Sequence, residues 1–308
     1  MPEVTVRDAQ RGDARAIGEI WAGAVPYLVR SPARASADLR EDKSLGRRRF
    51  MALVGDVPAG TATARTIESA DGSHEVFLSV EVHPELGSRG VGTALLATAA
   101  GTFPGAAFLR AVSSDDPIAM AFAVSNGFLP EGEHQVAVVD TASVAAPGPV
   151  PDGLRALSLD TLPDLRLLMQ TYNVAAFVDP SGLTRPFTLK QLRADWWSSP
   201  DNAPELSWGL LAPGPSGAVL AAFASVQVDW ARGRSWSSMT ATHPDHRGRG
   251  LASWVKRRML AALHEAGLPQ AWTANDFSNA PILAVNASLG YRQVARSVRV
   301  GRRGIVTR

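Results

Sequence analysis

Two stretches of this 308-residue chain carry one pattern in one order. The first reads Val76-Phe77-Leu78-Ser79-Val80-Glu81-Val82-His83-Pro84, then Gly87-Ser88-Arg89-Gly90-Val91-Gly92 and an apolar run over 93–100. The second reads Trp236-Ser237-Ser238-Met239-Thr240-Ala241-Thr242-His243-Pro244, then Arg247-Gly248-Arg249-Gly250-Leu251-Ala252 and a patterned run over 253–263. At one offset His83 falls on His243, Gly90 on Gly250 and Gly92 on Ala252. Further along, Ser125-Asn126-Gly127-Phe128 mirrors Ser288-Leu289-Gly290-Tyr291. A chain that twice spells strand, glycine turn, helix, strand, helix and glycine-aromatic turn is a duplicated domain.

Between the copies lies Ala145-Ala146-Pro147-Gly148-Pro149-Val150-Pro151-Asp152-Gly153. Its prolines and glycines suit neither a helix interior nor a central strand, so the expected domains are 1–146 and 152–308. The periodicities make each half mixed α/β. Helices are expected over 14–24, 92–100, 117–125, 163–172, 189–197, 251–266 and 281–288. Strands are expected over 48–54, 60–67, 76–82, 105–112, 208–211, 219–228, 236–242 and 271–275.

Composition narrows the function. A net charge of +2 gives no reason to expect a nucleic-acid partner. With no cysteine, disulfides, thiolate metal sites and a cysteine nucleophile are excluded, and no metal is expected. No run of about 18 apolar residues offers a membrane span, and the first residues lack the pattern of a secretory leader. A soluble cytoplasmic protein, monomer or homodimer, is expected.

The glycine turn carries the chemistry. Pro244 closes the strand because it donates no amide hydrogen, and Gly248 and Gly250 permit backbone angles and close approach that a Cβ would block. The first amides of the following helix lack internal partners and stand at the positive end of its dipole, so a pyrophosphate fits there. The chain has neither the Gly-x-x-x-x-Gly-Lys-Ser/Thr of a P-loop nor a Gly-x-Gly-x-x-Gly after the first strand. One such turn is as readily a plain strand-to-helix connection; its duplication behind the same strand argues for a ligand.

Arg247, Gly250 and Ala252 match at every fixed position the motif Gln/Arg-x-x-Gly-x-Gly/Ala. In the first copy Gly87 stands where Arg or Gln is expected, while Gly90 and Gly92 match. A second motif, Asn-x-x-Ala-x-x-Leu-Tyr-x-x-x-Gly-Phe, reads Asn279, Ile282, Val285, Asn286, Gly290 and Tyr291 in one copy. In the other it reads Asp116, Ala119, Phe122, Ala123, Gly127 and Phe128. With both motifs in order and twice, the chain resembles the GNAT superfamily of N-acetyltransferases, in particular the tandem-GNAT proteins common in actinomycetes.

The resemblance implies two tandem domains, each a mixed, mostly antiparallel sheet flanked by helices with its central strands splayed. It implies acetyl-CoA as donor and a small-molecule amine as acceptor, with the carboxy-terminal domain active and the amino-terminal one degenerate. A non-catalytic CoA-binding module is the alternative. Met239, Thr240 and Thr242 would hold pantetheine, and Arg247, Gly248, Arg249, Gly250, Leu251 and Ala252 the pyrophosphate. Asn279 would meet the pantetheine or, equally, cap the helix before Pro281; Asn275 would face the donor or pair a loop. Val80, Val82, Ser88, Arg89, Gly90, Val91 and Gly92 would form a second cofactor site.

The family's acid is a tyrosine, and Asn286 occupies its position, so Asn286 and the nearby Tyr291 are the catalytic candidates. Tyr291 reads more readily as the core aromatic of the glycine-aromatic turn than as an acid. No motif recommends a base among Asp229, Glu205, Tyr172, Asp195, His243 and Glu81. Trp196, Trp197, Trp230 and Trp236 suit an acceptor pocket or a core. Lys256, Arg257 and Arg258 read as a solvated helix face that can also reach a cofactor 3′-phosphate.

Overall fold

The computed structural model describes residues 3–40, 46–68, 74–87, 89–179, 184–214 and 217–304. The chain divides into two compact units, Met1–Glu133 with Arg296–Arg308 and His134–Ala295.

The first unit's sheet is built from β1 (Val4–Asp8), β2 (Arg47–Val54), β3 (Val57–Glu68), β4 (His74–Val82) and β5 (Phe108–Ser114). The second uses β7 (Arg155–Ser158), β8 (Trp208–Gly214), β9 (Gly217–Asp229), β10 (Arg234–Thr242) and β11 (Gln270–Asp276). In each, successive strands pair antiparallel until the last two, which run parallel across a helical crossover. That crossover is α3 (Val91–Gly101) in one unit and α7 (Leu251–Glu265) in the other.

The parallel pairs are short. β4 and β5 match only over Glu75–Phe77 against Phe108–Arg110. β10 and β11 match only at Ser235 with Ala271 and Trp236 with Trp272. Beyond those rungs the strands splay.

A sixth strand completes each sheet, and the chain exchanges them. β6 (Leu129–Asp140) follows the first copy, yet its 134–140 segment pairs antiparallel with β11 of the second unit. β12 (Arg292–Arg303) follows the second copy, yet Ser297–Arg303 pairs with β5 of the first. The division therefore falls at 133/134 and again at 295/296, not at the 146/152 cut expected from composition. The physical reason is that proline and glycine mark where the chain cannot be regular, whereas packing changes inside an unbroken strand. Val136, Ala137, Val138 and Val139 are all buried, so this part of β6 is committed to the second unit before the linker begins. The linker itself lies on α7: Trp254 Nε1 donates to the carbonyls of Gly148 and Pro149 at 3.0 Å, and Arg257 Nη1 to that of Ala145 at 3.4 Å.

Each sheet buries both faces. In the first unit α3 covers one side, with Val91, Leu95, Leu96 and Ala99 on Ala62, Ala64, Val76 and Leu78. The other side packs α1 (Ala14–Ala24), with α2 (Pro32–Asp38) alongside it. In the second unit α7 sets Val255, Met259, Leu260 and Leu263 on Leu210, Ala222, Ala224 and Val226. The opposite side holds α5 (Leu165–Ala176) and α6 (Leu189–Gln191), which runs on as a π turn over Leu192–Trp197. The helices α4 (Pro117–Ser125) and α8 (Ala280–Ser288) follow β5 and β11. Among the described residues no helix is long and apolar enough to cross a membrane.

Candidate functional site

Unit two holds the intact turn. Thr242 ends β10, and Arg247–Gly250 lie exposed at the open end of the β10–β11 gap. Gly248 and Gly250 have φ of 74° and 72°, and a Cβ on either would meet nothing within 4 Å. Glycine is thus required here by backbone angle, and the space above the turn is free for a ligand. The first helical bond is Trp254 N to Gly250 O at 3.1 Å, so the amides of Leu251, Ala252 and Ser253 have no helical acceptor. Arg249 spans His246 Nδ1 at 3.1 Å and the Asp152 carbonyl at 3.5 Å, and Arg247 Nε reaches the Thr242 carbonyl at 3.4 Å. Burial, then Arg249 and His243, push the His246 imidazole down and favour its neutral form. The turn thus presents three amides without helical acceptors beside open space, where an anion could be held.

β10 carries a bulge between Ser237 and Met239. A bulge changes which face the following side chains take. Ser237 pairs with Val226, Thr240 with Ala224 and Thr242 with Ala222, and all three partners belong to the core under α7. Met239 pairs with Ser225 and packs instead in the core under α5. The three residues expected to act together are therefore divided: Thr240 and Thr242 line the gap on the α7 side, and Met239 turns away. The first unit differs, since β3 and β4 pair without a register shift.

Across the gap, Thr273 Oγ1 donates to the Ser237 carbonyl at 3.1 Å and fixes the closed end. Asn275 is half-buried, and its Oδ1 accepts from Asn286 Nδ2 at 2.7 Å. Asn286 is 2% exposed, and its Oδ1 has no partner among the described residues. Asn279 occupies the N-cap of α8 but makes no side-chain cap bond. Its counterpart Asp116 does cap α4, accepting from the amides of Ile118 and Ala119 at 2.9 and 3.1 Å. The side-chain cap that is one alternative for Asn279 is therefore absent, whereas the equivalent Asp116 makes one.

Lys256 overturns its expectation as part of a solvated face. It is 1% exposed, its Nζ donates to Ser237 Oγ at 3.2 Å, and it lies 4.8 Å from the centre of the Tyr291 ring. Burial pushes its ammonium down to about 7. A helix turns 100° per residue, so Lys256 falls on the stripe of Met259, Leu260 and Leu263, away from its basic neighbours. Arg258 instead lies over Trp208 at 4.1 Å and pairs with Glu265 at 3.3 Å. Tyr291 is buried, with Lys256 over its ring and Ser237 beside its hydroxyl. Burial raises its phenol, with Ser237 acting in the opposite sense.

The base candidates are dispersed. Asp229 is buried in a hairpin turn, accepting from the Arg232 guanidinium at 2.8 Å. Tyr172 packs at a tilt against Phe187 and Trp196, and Trp196 against Phe223, in the α5 core, whereas Trp230 is 57% exposed.

In the first unit Gly90 also has a positive φ, 81°, with open space beside it. Val80, Val82 and Arg89–Gly92 flank that turn; Ser88 lies outside the described residues. Glu81 is buried on β4, where its Oε1 accepts from Arg30 Nη1 at 2.7 Å and from Ser79 Oγ. Its Oε2 has no partner among the described residues. Arg30 and Arg49 lie over the Trp21 ring at 5.6 and 4.8 Å, and Asp38 pairs with Arg49 at 2.7 Å. Burial pushes the Arg49 guanidinium down to about 10.

Comparisons with known proteins place this architecture. The chain is 30% identical over 236 residues to a mycothiol acetyltransferase from Nocardioides sp., covering 70% of this chain and 76% of that protein. It belongs to the GNAT acetyltransferase family. The acetyltransferase (GNAT) family model matches residues 17–128. Among solved structures, a tandem GNAT protein from the clavulanic acid biosynthesis pathway superposes with a TM-score of 0.74 at 20% identity, covering 98% of this chain and 99% of that one. A GCN5-related N-acetyltransferase from Sphaerobacter thermophilus does so at 0.67 and 18% identity, covering 97% and 95%. This GNAT chain is an acyltransferase of two tandem units.

Proposed function

We propose that the chain transfers an acetyl group from acetyl-CoA to the amine of a small molecule, with the donor held by the carboxy-terminal unit. The observation that carries this reading is the open turn at Gly248 and Gly250 standing at the mouth of a splayed, polar-lined gap. Free helix amides receive the pyrophosphate, and Thr240, Thr242 and Asn275 offer polar groups to the pantetheine arm. The bulge at Ser238 appears in this unit alone among the described β-ladders of the two copies' central strands, in keeping with one specialised donor site. The bound donor supplies the activated acyl carbonyl; the protein's part is to orient it and manage protons.

Acceptor-dependent thiol release, measured with acetyl-CoA against a panel of amines, tests the activity. The panel includes the amine from which mycothiol is made, given the relative's name, together with aminoglycosides, amino acids and a peptide N-terminus. Release with at least one amine is expected. Tight acetyl-CoA binding with no release from any amine would favour a CoA-binding module without turnover.

A second reading puts the chemistry in the amino-terminal unit. The unpaired buried Glu81 Oε2 favours it, because a carboxylate facing an incoming amine can accept its proton. Saturation calorimetry separates the two by which unit's turn is needed.

The contrast between the two caps gives a smaller test. Asn279→Ala is expected to leave the unfolding free energy from urea titration within about 0.5 kcal/mol of wild type while weakening acetyl-CoA binding roughly tenfold, one charge-free hydrogen bond's worth. Asp116→Ala should cost about 1 kcal/mol of stability, as a lost N-cap does, and leave donor binding unchanged.

A further inference from the structure

The closed end of the β10–β11 gap holds a group that neither family motif covers. Lys256 projects from α7 beneath the last rungs at Ser235 and Trp236, where Ser237 precedes the bulge. Its only polar contact among the described residues is Ser237 Oγ. No carboxylate pairs with it in the described ion pairs, and burial alone accounts for its altered titration. From β8 and β9 it faces the apolar Leu210, Ala222, Ala224 and Val226 core; from β10, Ser237; from the turn after α8, the phenol of Tyr291. A lysine taken out of water with one neutral acceptor is costly to keep charged, and nothing in the packing of α7 requires an amine there.

The gap gives the lysine a direction. On the acetyl-CoA reading, phosphates held at Gly248–Ala252 would sit at the open end, and an arm running from there between the splayed strands would bring its thiol end toward the buried Ser237 and Thr273. At that end Asn286 occupies the place where the family resemblance calls for an acid, and an amide cannot release a proton at neutral pH.

We propose that Lys256, acting through the hydroxyl of Ser237, delivers the proton that the departing sulfur takes up. This rests on the acetyl-CoA reading above. In the step, the acceptor's nitrogen forms the new C–N bond and the C–S bond breaks with its electron pair on sulfur. The Lys256 ammonium passes a proton to Ser237 Oγ as the Ser237 hydroxyl hydrogen moves to sulfur. The proton shed by the acceptor's nitrogen, carried off by water, restores the ammonium. The net change is thioester plus amine to thiol plus amide. A lysine whose affinity for protons sits near neutrality can both give and recover one within a turnover.

The chain has three lysines, Lys43, Lys190 and Lys256, so lysine labelled with 13C at Cε reports each separately by NMR in the intact wild-type protein. Titrations are run with saturating CoA and with saturating desulfo-CoA, after calorimetry has verified that both bind. The Lys256 midpoint is expected to differ between the complexes by at least about half a pH unit, as a neighbouring ionisable thiol requires, while Lys43 and Lys190 stay fixed. Ser237→Ala should leave the acetyl-CoA dissociation constant within about twofold and lower acceptor-dependent turnover at least tenfold. Identical Lys256 titrations with both ligands bound would overturn the Lys256 assignment alone. Failure of wild-type protein to bind CoA would overturn the donor-site reading and this assignment with it.

Discussion

The Arg249→Glu/Gly250→Asp double variant is expected to lose acetyl-CoA binding at the carboxy-terminal unit altogether, a fall of more than 100-fold by calorimetry. Two effects combine. At Gly250, φ is 72°, a region that costs a residue with a Cβ about 1 kcal/mol or more, and the new side chain fills the space above the free amides. The two carboxylates also place negative charge where the helix dipole and the amides of Leu251, Ala252 and Ser253 would meet phosphate. Each charge-assisted hydrogen bond is worth roughly 1.5–3 kcal/mol, so losing two accounts for a 100-fold change or more. The turn is exposed, and the first unit's Gly90→Asp variant is the matched control. If the carboxy-terminal unit binds the donor, Gly90→Asp leaves the main heat of binding intact. If Gly90→Asp removes it and the double variant does not, the donor site belongs to the amino-terminal unit, where Glu81 stands.

What could be read from the sequence follows the range of the interactions involved. The turn was legible because glycine spacing, Pro244 and a helix start are local, and its second copy showed that the spacing was not chance. The splay of β10 from β11 came from the family resemblance; the residues themselves carry no mark of it. The exchange of β6 and β12 was not legible. Leu129–Asp140 opens with Pro130, Glu131, Gly132 and Glu133, and Arg292–Arg303 contains five arginines, so neither reads as a strand by alternation. Both are strands because a partner edge awaits them. The linker was legible as irregular chain but misleading as a boundary.

The burial of Lys256 is recoverable from the sequence, against its reading as a solvated face. Taken with Arg257 and Arg258 it looks like a run of surface charge, but counting by threes and fours from Met259, Leu260 and Leu263 puts it among apolar residues. Its partner Ser237 lies on a strand whose face alternation the bulge interrupts, and a bulge has no reliable signature in one sequence. The division of Met239 from Thr240 and Thr242 was hidden for the same reason.

The lysine's burial makes a second large effect measurable without any ligand. Unfolded, its ammonium releases its proton near the ordinary lysine value of 10.5; folded, it does so near 7. Between those values the unfolded chain binds the extra proton, so this group makes stability rise with pH across that window. Below about pH 7 both states are charged, and the folded state bears the full cost of the buried ammonium; above about 10.5 both are neutral and the cost is gone. The shift corresponds to a cost on the order of 5 kcal/mol at low pH. Lys256→Met has no such group, and methionine suits the surrounding Val255, Met259 and Leu260. The variant is therefore expected to be more stable than wild type near pH 6, with the gap narrowing by about 2–3 kcal/mol by pH 9. Urea unfolding followed by tryptophan fluorescence at the two pH values measures it, seven of the eight tryptophans lying beyond the linker. A gap that stays constant across that range would mean that Lys256 keeps its ordinary affinity for protons in the folded protein. A gap that narrows as expected, in a variant that still binds acetyl-CoA, would mean that the fold carries a destabilising amine at the end of the donor gap that packing alone does not require.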